Sequence, residues 1–343
     1  MFFKYKNIIT YSIVSFLTLS LITFFIVFSL FYYSGIDSTK NEINIQKGDS
    51  LDDVIFKLSL DESSKFKLKL VMKVLFLDDD IKPGKHNLKN ITSVKSLVDE
   101  ITASPRIAVT ILEGWSLKDI ANYLDMNSDL NSINAMKFLR LCKDRNFIST
   151  QLKSLDSDHV SSLEGYLYPD TYRVDPYIGE RALIEVFISE FLNKTKGYHH
   201  KINNKVMIVA SIIEAETDLI SEMDTISSIY NNRIEKKMRL ESDPTVLFYM
   251  QDSDLKKFKN RSTSKARRAS GDVWRKYKDM DNPYNTYKNY MPPGPINCPR
   301  VEAIEAALKP ASTDYLYMVM SSRLGRHLFS KEYGAHSRKV KRN

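Results

Sequence analysis

The chain has 343 residues, 43% of them hydrophobic and 27% charged, with a formal net charge of +8. This is ordinary globular composition, which excludes a wholly disordered or fibrous protein. Two cysteines and six histidines without metal-ligand spacing argue against a structural zinc site.

The length allows two or three domains with a sizeable core. Cys142 and Cys298 lie far apart, and the sequence leaves their pairing open. A basic balance suits an anionic polymer, anionic lipid or nucleic acid, or simply a solvated surface.

No charged side chain occurs between Asn7 and Ile36. About 20 apolar residues cross the roughly 30 Å hydrocarbon core of a bilayer, so Ile8–Tyr33 is long enough to span. There is no small-residue cleavage site near Ser34–Gly35, so an uncleaved anchor is expected. Tyr11, Tyr32 and Tyr33 stand near its ends, where interfacial aromatics are favoured. Lys4 and Lys6 precede the span, while Asp37, Lys40 and Glu42 follow it. The positive-inside bias then puts the N-terminus in the cytoplasm and the rest outside.

Residues 34–42 read as a polar linker. Ile43 and Ile45 alternate as a strand, Gly48 marks a turn, and Ser50 caps a helix with Asp52 and Asp53 in its first turn. A second helix is expected over Lys65–Leu77, a turn and strand over Lys82–Leu88, and a helix over Ser93–Thr102. The pattern restarts at Arg106 with alternating Ile107, Val109 and Ile111. Then Glu113-Gly-Trp-Ser-Leu-Lys-Asp repeats the Gly, Ser-Leu and Asp spacing of Gly48–Val54. Helices dominate Leu117–Ser149 and Gly179–Thr195, around a broken segment with Gly165 and Pro169.

Lys205–Thr217 is a strong helix, apolar nearly all round from Val206 to Ile213 except at Ser211. Such a helix is buried. It ends in Glu214-Ala-Glu-Thr, where Glu214 and Glu216 are about 200° apart around the axis and point to different sides. Helices follow over Glu222–Lys237 and Val246–Met250. Lys256–Lys278 is rich in Lys and Arg, including Lys256, Lys257, Lys259, Arg261, Lys265, Arg267 and Arg268, and reads as an exposed loop or mobile insertion. Met291–Pro299 holds four prolines and is irregular. A helix over Val301–Leu308, a hairpin from Tyr315–Met320 and His327–Ser330, and a frayed basic tail at Ser337–Asn343 complete the chain.

A glycosidic bond needs a proton on its leaving oxygen, and a carboxyl buried among apolar groups keeps one at neutral pH. Glu214, which follows eight mainly apolar residues, fits that requirement, though it also reads as an ordinary helix-end carboxylate. Glu216, on a different side, reads as a structural hydrogen-bonding residue, and the two do not form a working pair.

Val209-Ala-Ser-Ile-Ile-Glu-Ala-Glu-Thr resembles the catalytic motif of the YceG-like endolytic murein transglycosylases. The resemblance continues through Ile229-Tyr-Asn-Asn-Arg-Ile, Met238-Arg-Leu-Glu-Ser-Asp-Pro-Thr-Val, Pro283-Tyr-Asn-Thr-Tyr, Pro292-Pro-Gly-Pro-Ile, Glu305-Ala-Ala-Leu-Lys-Pro-Ala-Ser-Thr-Asp-Tyr-Leu-Tyr and His327-Leu-Phe-Ser. Earlier blocks are Leu112-Glu-Gly-Trp-Ser and Leu163-Glu-Gly-Tyr-Leu-Tyr-Pro-Asp-Thr-Tyr. They run in family order over residues 40–336. The resemblance implies Glu214 as the one acid/base residue. It would protonate the oxygen between N-acetylmuramic acid and N-acetylglucosamine, then deprotonate the muramic C6 hydroxyl, leaving a 1,6-anhydro end. It implies no metal or organic cofactor. It implies substrate-binding roles for Glu216, Ser242, Asp243, Thr245, Asn285, Thr286 and Tyr287. Implied partners are peptidoglycan glycan strands, the membrane and peptidoglycan synthases, with no nucleic acid. The implied location is the cytoplasmic (inner) membrane, with the catalytic domain outside.

The expected architecture is α+β. It has a cytoplasmic tip and transmembrane helix (1–36), a small LysM-like α/β subdomain (40–104), a mainly helical catalytic domain with a small antiparallel sheet (105–336) and a basic tail (337–343). The basic 256–278 stretch is longer than the family has there. The hairpin at Arg323–His327 lacks the fuller glycine-rich form, and no role is expected of His327. Two other readings stay open. One is a peptidoglycan hydrolase using Asp218 or Asp243 as second carboxylate. The other is a non-catalytic glycan-binding scaffold.

Overall fold

The computed structural model describes residues 2–36, 40–130, 133–155, 160–260, 262 and 264–342. Asp37 after the apolar run, Arg261 in the basic stretch and Asn343 of the tail lie outside them. The described chain is mostly helical, with three two-stranded sheets and one N-terminal apolar helix. It divides into two compact units, Met1–Ile107 with Asp175–Tyr177, and Ala108–Val174 with Ile178–Asn343.

The first unit begins with α1 (Phe2–Tyr32), whose stretch Ile13–Tyr32 has mean hydropathy 2.5 and is long and apolar enough to cross a bilayer. Strand β1 (Glu42–Ile45), helices α2 (Leu51–Leu58) and α3 (Glu62–Val74), strand β2 (Gly84–Asn87) and helix α4 (Val94–Thr102) follow. β1 and β2 pair antiparallel, with Ile43 opposite His86. One face of each helix is apolar, and Val54, Leu58, Leu68, Val71, Leu97 and Ile101 form a closed core. Burying each such side chain contributes about 2 kcal/mol. Phe28 and Tyr32, at the end of α1, pack on this core.

The second unit takes up β3 (Ile107–Thr110) from Ala108 and continues with α5 (Leu117–Met126), α6 (Ala135–Leu141), α7 (Arg145–Gln151), β4 (Thr171–Val174) and α8 (Glu180–Lys194). β3 and β4 form a sheet. The sequence half-repeat is a real local repeat. Gly48 and Gly114 both take positive φ, and Ser50 and Ser116 both close capping boxes, with Asp53 and Asp119.

Around the apolar helix, now α9 (Asn204–Glu216), pack α10 (Ile220–Glu235), α11 (Asp243–Phe248) and, after two further helices, α14 (Val301–Leu308). Residues Met207–Glu214 of α9 are all buried. Ile208, Val209, Ile212 and Ile213 meet Met223, Ile226 and Tyr230 of α10 and the small Ala303 and Ala306 of α14. Ser211, the polar exception, accepts a hydrogen bond from the Ile296 N–H (3.1 Å), and its carbonyl accepts one from Asn297 (2.8 Å). These bonds dock the proline-rich segment onto α9.

Two expectations are corrected. The basic stretch is not an exposed loop but a helical pair, α12 (Asp252–Lys259) and α13 (Ser264–Lys278). Leu255 and Phe258 on one helix and Val273, Trp274 and Tyr277 on the other pack with Val246 and Met250, leaving Lys256, Lys257, Lys259, Arg267 and Arg268 exposed. The tail is not frayed: α15 (Tyr333–Arg342) packs on the hairpin of β5 (Tyr317–Ser321) and β6 (Arg326–Ser330). Tyr317 stacks on His336 with centroids 5.5 Å apart. Cys142 and Cys298 are both buried and both free.

Candidate active site

The two glutamates of α9 leave the helix in different directions, as their spacing requires. Glu214 is 2% exposed at its side chain. Its carboxylate accepts the backbone N–H of Arg300 (3.0 Å) and the Nη2 of the same residue (2.8 Å), with Nε 3.0 Å from both oxygens. Arg300 is the N-cap residue of α14. Glu214 therefore supplies the negative charge that a helix N-terminus favours. Burial pushes its carboxyl up from the ordinary value, and Arg300 opposes that shift. On its other side stands Gly114, where an added Cβ would be 3.8 Å from the Glu214 Cγ.

Glu216 has the opposite surroundings. Its Oε1 accepts hydrogen bonds from Tyr230 Oη (2.6 Å) and Ser242 Oγ (2.7 Å). Among the described residues Oε2 has no protein partner, and Glu216 lines a cavity of about 620 Å³. Burial raises its carboxyl above the ordinary value, the two hydroxyls oppose the rise, and Asp243 adds to it. The cavity wall is made of α10 residues around Tyr230 and Arg233, the segment from Met238 to Asp243, Tyr287, strand β5, His327 of β6, and Tyr333 and His336 of α15. Arg233, itself on α10, ties two of the other pieces to that helix. It donates to the carbonyls of Leu316 (2.7 Å) and Leu240 (2.8 Å) and lies over the Tyr317 ring.

Of the other residues marked out in the sequence, Asp243 and Tyr287 line the cavity and hydrogen-bond to each other. Ser242, Thr245, Asn285 and Thr286 are buried behind it. The Thr286 hydroxyl accepts the Ser242 N–H (2.9 Å) and lies 2.8 Å from that of Thr245. Asn285 donates to the carbonyls of Lys278 and Met280, both at 2.8 Å, closing the C-terminal end of α13. This interlock holds Ser242 against Glu216. Asp218 is 98% exposed at its side chain and lies 3.9 Å from Arg300. Trp274 meets Tyr287 edge-on at 6.1 Å, so α13 backs the cavity rim.

Sequence reasoning missed Arg300, Tyr230 and the pair Glu222–His327. Tyr230 and Arg233 stand in the Ile229-Tyr-Asn-Asn-Arg-Ile block, so their signal was present. Arg300 is 86 positions from Glu214, and nothing local announces their contact.

A family model described as the YceG-like family matches residues 43–342. The chain belongs to the YceG-like family. It is 29% identical over 288 residues to the endolytic murein transglycosylase of Streptococcus pneumoniae serotype 2 (strain D39 / NCTC 7466), covering 76% of this chain and 50% of that one. It thus spans about half the length of that relative. The endolytic murein transglycosylase of Bacillus subtilis (strain 168) is 29% identical over 327 residues, covering 88% of this chain and 84% of that one. The crystal structure of a putative YceG-like protein from Listeria monocytogenes shares the fold. Its TM-score is 0.55 at 24% identity, with 87% of this chain and 97% of that one covered.

Proposed function

We propose that this YceG-like chain is a membrane-anchored lytic transglycosylase that cuts peptidoglycan glycan strands internally, with Glu216 as its general acid. The relatives' names supply the substrate and reaction class. The observation that carries the residue assignment is the contrast in access. Glu216 offers a free oxygen and a raised proton affinity to a large cavity, whereas Glu214 is sealed and fully engaged by Arg300. The acid role therefore moves from Glu214, which the resemblance implied, to its neighbour two residues on.

In this reading the cavity takes the two sugars flanking the scissile bond. Protonated Glu216 gives its proton to the oxygen between N-acetylmuramic acid and N-acetylglucosamine, and the C1–O bond breaks. Pinning Oε1 leaves Oε2 as the one oxygen that delivers the proton. The muramic C6 hydroxyl attacks C1 from within the same sugar, giving the 1,6-anhydro end. Its proton goes to a base in the cavity, either the Glu216 carboxylate that has just given up its own or a second group on the wall. Asp243 and Tyr287 meet the sugars directly, while Ser242, Thr245, Asn285 and Thr286 act by holding the wall in place. Because Asp243 lines the same cavity, a second reading is hydrolysis with Asp243 activating water.

We assign α1 as a single-pass anchor in the cytoplasmic membrane, with the N-terminus inside and residues after it outside. Residues 40–104 serve as a LysM-like glycan-binding or spacing subdomain, 105–336 as the catalytic domain and 337–343 as a basic tail. Synthases that supply nascent strands are the expected partners.

The test is a digest of purified peptidoglycan by the full chain in detergent, with Glu216→Gln and Glu214→Gln alongside and products identified by mass. Anhydro-muramic ends from wild type and Glu214→Gln, but not Glu216→Gln, support the assignment. Reducing ends favour hydrolysis. Activity retained by Glu216→Gln sinks the assignment.

A further inference from the structure

Glu222, in the first turn of α10, and His327, on β6, are each 7% exposed. The Glu222 carboxylate takes hold of His327 twice. Oε1 accepts the backbone N–H (2.9 Å) and Oε2 lies 2.8 Å from Nδ1. Thr217, the residue that ends α9, donates its hydroxyl to the same Oε2 at 3.4 Å. A carboxylate is an acceptor only, so Nδ1 carries the hydrogen, and the tautomer this selects has its lone pair on Nε2. Among the described residues Nε2 has no protein partner, and His327 forms part of the wall of the cavity that Glu216 lines. Fastening a strand to a helix needs only the backbone bond. The second bond fixes the ring's tautomer and direction, which matters for proton transfer at Nε2.

We propose that His327 is the base that takes the proton from the attacking C6 hydroxyl, and that Glu222 is the residue that positions it. This rests on the transglycosylase reading above. In the step, Glu216 gives its proton to the leaving oxygen and the C1–O4 bond breaks. O6 bonds to C1 as its proton passes to His327 Nε2. The protein is left with a Glu216 carboxylate and a His327 imidazolium. Transfer of that proton back to Glu216 through cavity water resets both groups.

The experiment uses the full chain in detergent on purified peptidoglycan strands, comparing wild type with His327→Asn, His327→Gln and Glu222→Gln. Asn keeps a donor where Nδ1 sits, and Gln keeps a polar group where Nε2 sits, but neither exchanges a proton. Both should lose roughly 10²-fold in kcat with KM within a few-fold. The share of reducing ends should rise, since water then competes with an unassisted C6 hydroxyl. Glu222→Gln should lower kcat by about tenfold at unchanged KM, as expected when a ligand-orienting partner is lost. Wild-type kcat and purely anhydro ends in His327→Gln overturn the inference. So does a rise in KM alone, or loss of the folded state in both His327 variants, which would make the residue a substrate or fold contact. If wild type itself gives no anhydro ends, the transglycosylase reading has failed, and the inference falls with it.

Discussion

The two faces at the end of α9 carry the same side chain and meet opposite conditions. On one face Glu214 is shut between Arg300, α14 and the loop at Gly114, with each carboxylate oxygen given to a charged or backbone donor. On the other, Glu216 is held at one oxygen by two neutral hydroxyls and left free at the second. Neutral donors restrain a carboxyl without demanding that it ionise, whereas an arginine favours the charged form. Burial raises both groups, yet of the two only Glu216 opens on the cavity. Burial alone therefore does not distinguish a catalytic acid from a structural one. The chemistry of the partners and the side on which the cavity opens do.

The largest expected effect tests that contrast directly. Glu216→Gln should cost on the order of 10³-fold in turnover with little change in melting temperature, because Gln keeps an acceptor for Tyr230 and Ser242. Turnover within tenfold of wild type would put the acid elsewhere. Glu214→Gln should do the reverse, losing on the order of 3 kcal/mol of stability by breaking a buried ion pair while specific activity of the folded fraction stays near wild type. Denaturant unfolding beside an activity assay separates the two, and an inactive but stable Glu214→Gln would invert the assignment.

A third carboxyl sharpens the comparison. Glu164 is 7% exposed, accepts the N–H of Leu117 at 3.0 Å, and is pushed by burial to about 8. Its folded value lies above the unfolded one, so its contribution is fully present below about pH 4.5 and is lost as pH rises towards 8. Wild type should lose a few kcal/mol of stability between pH 5 and pH 8 through this group. Glu164→Gln should flatten that slope, and an unchanged slope in thermal melts would show that Glu164 does not ionise over this range.

The smallest effect concerns the hydroxyls on Glu216. The Tyr230 bond favours the ionised form, so Tyr230→Phe should raise the carboxyl further and move the alkaline limb of the pH–rate profile upward. A hydrogen bond of about 1 kcal/mol corresponds to a shift of roughly half to one pH unit. A limb that stays in place, or moves down, would mean that it belongs to another group.

Much of this site is legible in the sequence. The run Val206–Ile213 announces a buried helix, its period separates the two glutamates, and Val301–Leu308 is found at its expected bounds. The partners that give each glutamate its role are not legible, because Arg300 and Ser242 reach α9 across 86 and 26 positions. Long-range pairing leaves no local period to read. The α12–α13 pair failed for a different reason. Its apolar Val273, Trp274 and Tyr277 do recur at helical spacing with Ser270, but the abundance of lysine and arginine dominates the composition of the segment.

The interlock of Ser242, Thr245 and Thr286 fastens two points of the chain 44 positions apart, and α12 and α13 hang between them. A loop whose ends are already fixed is cheap to lengthen, since doubling it adds only about 0.6 kcal/mol of closure entropy. That makes the segment a tolerant insertion point. Its size and charge can change, and with them what the rim of the cavity meets, while Glu216, held 2.7 Å from the Ser242 hydroxyl at the fastening, keeps its place.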